Sequence, residues 1–88
     1  MDNKFILSSL AMDLKRVALG IHRGSHKTAE RFYEEALKRK QEVNQESLVP
    51  YMQKILHNVE MLQNIPEDRR AEDALMYSTR IQNYVLNR

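Results

Sequence analysis

Residues 5–21, FILSSLAMDLKRVALGI, carry the pattern that decides the fold. Large apolar side chains recur there at steps of three and four residues, the spacing that aligns side chains on one side of an α-helix. The pattern predicts a helix from about residue 3 to residue 22 that buries this side in a core. The buried stripe is expected to comprise Leu7, Leu10, Leu14, Val17 and Ile21.

The rest of the chain continues the same helical pattern. Two glycines and two prolines in 88 residues leave few turn signals, and runs of β-branched residues are absent. We therefore predict an all-α protein, a small up-down four-helix bundle with a single domain over residues 1–88. The helices are expected at about 3–22, 26–43, 47–64 and 66–87.

Glycine, serine and proline mark the breaks between these helices. Gly24 can adopt the left-handed conformation that ends the first helix, and Ser25 can cap the second by accepting a backbone N–H. Pro50 fits the first turn of the third helix, where its missing N–H does little harm. Pro66 forces the preceding residue out of helical geometry, so the third helix must end before it.

Composition narrows the classes of function. Lys and Arg number 14 against 12 Asp and Glu, a net charge of +2 that is mild for a dedicated nucleic-acid-binding protein. The absence of cysteine excludes disulfides, thiolate catalysis and thiolate metal ligation, and leaves the redox compartment open. The apolar run FILSSLAM is too short to span a bilayer and lacks the features of a signal peptide. We expect a cytoplasmic protein with no membrane contact.

A second apolar line follows the first helix. Phe5, Met12 and Leu19 are seven residues apart, and at 100° per residue they lie roughly opposite the Leu7 stripe. A helix that is apolar on two sides is normally packed between neighbours or buried in an oligomer. The alternative is that these are isolated exposed apolar residues, which are common on protein surfaces. We predict a partner interface at Phe5, Met12 and Leu19 in a non-enzymatic homo-oligomeric interaction or accessory module, with a dimer favoured.

Basic residues cluster around the turn between the first two helices. The free N–H groups at the start of the second helix would suit an anion there, so nucleic-acid or polyanion binding is the alternative function. A plain helix-hairpin turn explains these residues except Lys27, whose charge is unfavourable at a helix N-terminus. A helix-turn-helix reading would use Lys27, Thr28 and Arg31, but Glu30, Glu34 and Glu35 would also face the phosphates. The candidate anion-binding residues are Arg16, His22, Arg23, Ser25, Lys27 and Arg31.

Histidines in the same stretch could form a metal-binding site. His22, His26 and Glu30 follow at four-residue steps, the spacing of zinc ligands on one continuous helix. Gly24 and Ser25 interrupt that helix. We expect no metal site and no cofactor.

Arg16 and His22 also have the spacing of a catalytic motif, an arginine followed by four to six residues and a histidine. Over these seven residues the chain resembles helical ribonuclease domains of the HEPN type. The resemblance implies that His22 is a general acid or base and that Arg16 stabilises a phosphate. In that family the motif lies late in a longer bundle, and the residue after the arginine is usually polar rather than Val17. Metal-independent ribonuclease activity is therefore a secondary alternative, and we expect no enzyme.

Overall fold

Four α-helices make up the computed structural model, which describes residues 2–87. Short 3-10 turns at Gln45–Ser47 and Met61–Asn64 flank the third helix, and residues 2–87 contain no β-strand. The prediction of a small all-α bundle is confirmed. The helices are α1 (Asn3–His22), α2 (His26–Glu42), α3 (Pro50–Glu60) and α4 (Glu67–Leu86).

The turn between α1 and α2 has the left-handed glycine that the sequence predicts, but the N-cap of α2 is not the predicted one. Gly24 has φ +73°, in the left-handed region that ends helices. Ser25 occupies the N-cap position of α2, yet its hydroxyl donates to Thr28 Oγ1 at 2.7 Å and makes no side-chain cap bond. The expectation that the Ser25 side chain accepts a backbone N–H is therefore wrong. Its carbonyl takes part instead, accepting from the Ala29 N–H at 3.1 Å.

The third helix is shorter than the 47–64 expected. Val49 precedes proline and is extended, with ψ 151°, so α3 begins at Pro50 rather than near Ser47. At the other end, Ile65 is extended before Pro66, and the last turn tightens into the 3-10 segment. Arg70 of α4 stabilises this end, since its guanidinium donates to the carbonyls of Leu62 and Ile65, each at 3.0 Å.

The helices alternate in direction around a core centred on α1. The first residues of α2 and α4 are in contact, His26 Nδ1 lying 2.7 Å from Glu67 Oε2, so both helices start at the C-terminal end of α1 and run antiparallel to it. α1 packs along α2 and α4, whereas α3 completes the core with fewer close backbone approaches. The buried side of α1 includes the residues predicted for it, and of these only Ile21 is partly buried. The largest fully buried side chains are Leu7, Leu10, Leu14, Val17, Met52, Leu56, Val59, Leu62 and Ile81.

The closest approach of α1 and α2 is at Gly20. A Cβ placed there would lie 2.9 Å from the backbone nitrogen of Ala29 and 3.1 Å from its Cα. Backbone atoms cannot move aside as a flexible side chain can. Glycine is therefore needed at this position for packing, although it lies within a helix.

Gly20→Ala is expected to destabilise the protein by about 1–2 kcal/mol, because the clash outweighs the gain in helix propensity. Urea unfolding followed by circular dichroism measures the change. Equal or higher stability of the variant would show that α1 and α2 are farther apart than this packing requires. Gly24→Ala serves as a comparison, since its Cβ would meet no atom within 4 Å and any cost there reflects backbone strain alone.

Candidate functional site: the outer face of α1 and the turn after it

Three large apolar side chains lie exposed in one line on α1. Phe5 is 58% exposed, Met12 40% and Leu19 42%, although the opposite side of the helix is buried from Leu7 to Val17. Seven residues make almost two helical turns, so the three side chains follow one another along the helix axis. We call this line, with the polar residues beside it, the outer face of α1.

Exposed leucines of α4 adjoin this face. The buried Ser78 hydroxyl donates to the Ala11 carbonyl at 2.7 Å and fixes the level at which the two antiparallel helices meet. Leu75 and Leu86 are exposed, and their spacing of eleven residues, three helical turns, places them on one side of α4. From the Ser78 contact, Leu86 lies at about the level of Phe5. The apolar surface therefore spans two helices, and its α4 part was missed by sequence reasoning.

Asp13 is buried where α1 meets α2, which the sequence pattern did not indicate. Its side chain is 7% exposed and pairs with Arg16 at 3.5 Å and Arg39 at 3.7 Å. Asp13 Oδ2 and Arg39 Nε face each other and have no hydrogen-bond partner among the described residues. Burial raises the pKa of Asp13 above its ordinary value, because the two nearby arginines compensate only part of the lost hydration.

Asp13→Asn is expected to leave stability unchanged or to raise it at neutral pH. The folded-state pKa of Asp13 is raised, so its favourable contribution is fully present below the ordinary pKa and is lost as the pH rises through the raised value. The amide avoids the cost of the buried charge, and its advantage should shrink in acid. Urea unfolding at neutral and mildly acid pH measures this. A clear loss of stability at neutral pH would mean that the arginine pairs outweigh burial.

Two of the six candidate anion-binding residues contact an aromatic ring. The guanidinium carbons of Arg16 and Arg31 lie 5.3 Å and 5.6 Å from the ring centre of Phe32, within cation–π range. Arg16 is also held by Asp13. A third candidate, Ser25, uses its hydroxyl on Thr28. The Arg16 contact depends on the packing of α1 against α2, which the order of residues along the chain does not show, whereas the Arg31 and Ser25 contacts are local to the start of α2.

The other three candidates, His22, Arg23 and Lys27, are exposed around the turn. Glu67 brings a carboxylate to the first turn of α2 through its contact with His26. A negative charge from the chain itself thus lies close to the end of α2 that would attract an external anion.

The contacts of His26 and Arg16 also concern the metal site and the ribonuclease activity considered from the sequence. His26 uses its Nδ1 on Glu67, and residues 2–87 hold no group of three histidine, aspartate or glutamate side chains placed to bind a metal ion. Arg16 and His22 are six residues apart on α1, so they project about 120° apart around the helix. His22 lies at the exposed end of α1, whereas Arg16 is turned towards Asp13 and Phe32.

A groove of about 330 Å³ lies between the C-terminal part of α1, α2 and the start of α4. Tyr33 lines this groove and donates to the carbonyls of Val59 and Glu60, both at 2.9 Å, which ties α2 to the end of α3. Burial raises the pKa of the Tyr33 phenol, so it stays protonated as the donor that these carbonyls need. At this groove, Tyr33 therefore holds α2 against α3 and stabilises the bundle.

Comparisons with protein-family models, with curated protein sequences and with solved structures gave no significant match. Within residues 2–87, no helix combines the length with the apolar character that crossing a bilayer requires.

Proposed function

We propose that this protein is a small non-enzymatic interaction module of the cytoplasm that self-associates, with a dimer favoured, through the outer face of α1. The observation that carries the proposal is the exposed line of Phe5, Met12 and Leu19 on a helix whose opposite side is already buried. A helix that needs only one apolar side for its own bundle has a second one available for a partner.

The size of the apolar surface sets the expected strength of association. Full burial of a leucine, methionine or phenylalanine contributes about 1.5–3 kcal/mol, and these three side chains are about half exposed, so each adds on the order of 1 kcal/mol. Part of that gain offsets the loss of translational and rotational freedom. Leu75 and Leu86 of α4 enlarge the surface, which supports association at micromolar concentrations rather than an obligate dimer.

Binding of nucleic acid or another polyanion through the basic turn ranks second. Exposed His22, Arg23 and Lys27 favour it. The carboxylate of Glu67 beside His26 opposes it. With Arg16 and Arg31 on the Phe32 ring, fewer cations face the turn than the sequence suggested.

Size-exclusion chromatography with absorbance at two wavelengths, run at low and high salt, separates the two functions. Apolar association should persist at high salt and carry no nucleic acid, whose absorbance would stand out because the chain has four tyrosines and no tryptophan. A polyanion-binding protein should instead release material absorbing at 260 nm as salt rises. Release of such material would make polyanion binding through the basic turn the favoured function.

A further inference from the structure

We infer that the outer face of α1 binds a second copy of this chain in antiparallel orientation, with the two-fold axis passing at Met12. The inference rests on the proposed self-association and specifies its geometry. The symmetry of the apolar line about its middle residue permits either orientation of the two copies, and the distribution of charge beside that line selects the antiparallel one.

The apolar line is symmetric about Met12. Phe5 and Leu19 are each seven residues from it, about 10.5 Å along the helix axis in either direction. A two-fold axis through Met12 therefore brings Phe5 of one copy opposite Leu19 of the other, and Met12 opposite Met12. Every apolar residue of the line then meets an apolar residue, as a self-complementary two-fold interface requires.

The charges on α1 distinguish antiparallel from parallel pairing. Its cationic residues Lys4, Lys15 and Arg16 are exposed, and its only acidic residue, Asp13, is buried at the contact with α2. In a parallel pair Lys15 of one copy would lie beside Arg16 of the other on both flanks of the apolar line, and the nearest carboxylate, Asp13, is buried and already pairs with Arg16.

Antiparallel pairing removes that conflict. Lys15 and Ser9 lie three residues on either side of Met12, and Arg16 and Ser8 lie four. Each of these cations is thus opposite a serine hydroxyl of the second copy rather than another cation. The serines are only partly exposed, and their small side chains allow the two helices to approach closely.

Cysteine cross-linking tests the orientation, because the chain contains no cysteine of its own. We would prepare Phe5→Cys, Met12→Cys and Leu19→Cys and expose each to a mild oxidant. A disulfide needs Cα atoms about 4.4–6.8 Å apart, so it forms readily only between residues that face each other. Met61→Cys, exposed to a similar degree but on the 3-10 turn after α3, is the matched control.

Antiparallel pairing predicts that Met12→Cys cross-links to itself and that Phe5→Cys and Leu19→Cys cross-link to each other when mixed. We expect about tenfold more product from the mixture than from either variant alone, because facing thiols have a high effective concentration. Mass spectrometry identifies the mixed product, since the two variants differ in mass. Met61→Cys should remain uncross-linked.

The other outcomes separate the orientation from the proposed function. If the unmodified protein is a dimer by light scattering while Phe5→Cys and Leu19→Cys each cross-link to themselves, the pairing is parallel and this inference is wrong. A dimer in which none of the α1 variants cross-links places the interface elsewhere. A monomer overturns the proposed self-association and this inference with it.

Discussion

Met12→Glu is expected to convert the proposed dimer into a monomer without changing the helical content. At the proposed two-fold axis each Met12 would face its own copy, so one substitution would place two carboxylates against each other in an apolar contact. We expect the dissociation constant to rise by at least about 100-fold, or roughly 2.7 kcal/mol. Light scattering gives the mass, and circular dichroism shows whether the fold is retained.

Met61→Glu is the matched control for this experiment. Met61 is 42% exposed, close to the 40% of Met12, but it lies outside the outer face of α1. The same change of side chain at the same exposure should leave the dimer intact. If both variants remain dimeric, or both dissociate, the effect is not specific to the α1 surface.

Leu14→Ala is expected to cost about 3–5 kcal/mol of folding stability. Leu14 is fully buried on the core side of α1, so the change removes apolar contacts and leaves a cavity. A domain of this size is stabilised by about 4–13 kcal/mol in total, so the loss is a large part of it. Urea unfolding in the Met12→Glu background measures the effect on the monomer alone.

Leu19→Ala in the same background provides the comparison for Leu14→Ala. Leu19 is on the same helix but exposed in the monomer, so its truncation should change stability by about 0.5 kcal/mol or less. A Leu14→Ala variant with a similarly small effect would contradict the assignment of Leu14 to the core.

The fold could be predicted from the sequence because its strongest signals are local. The stripe from Leu7 to Val17 has helical spacing, and Gly24 ends the helix through its own backbone conformation. The start of α3 was misplaced because Val49 responds to the following proline, a local effect that the apolar pattern from Leu48 onward obscured.

Contacts between helices could not be predicted in the same way. The need for glycine at position 20 depends on the Ala29 backbone, and the role of Ser78 depends on the Ala11 carbonyl, 67 residues away in sequence. Asp13 has the polar character of a surface residue, and only the packing of α2 shows it to be buried.

The candidate site was partly accessible to sequence reasoning. The line of Phe5, Met12 and Leu19 follows from helical geometry, and its exposure is visible once α1 is placed in the bundle. The contact of Arg16 with Phe32 depends on how α1 packs against α2 and so could not be predicted from the chain order, whereas Arg31 directly precedes Phe32 on α2.

Sedimentation equilibrium of the unmodified protein, over roughly 1 to 100 µM and beside Met12→Glu, tests the central claim most directly. If α1 pairs with a second copy, the average mass of the unmodified chain should rise with concentration from 10.4 kDa towards twice that value, while Met12→Glu stays at the monomer mass. A mass that remains at 10.4 kDa throughout for both proteins would contradict self-association through this face.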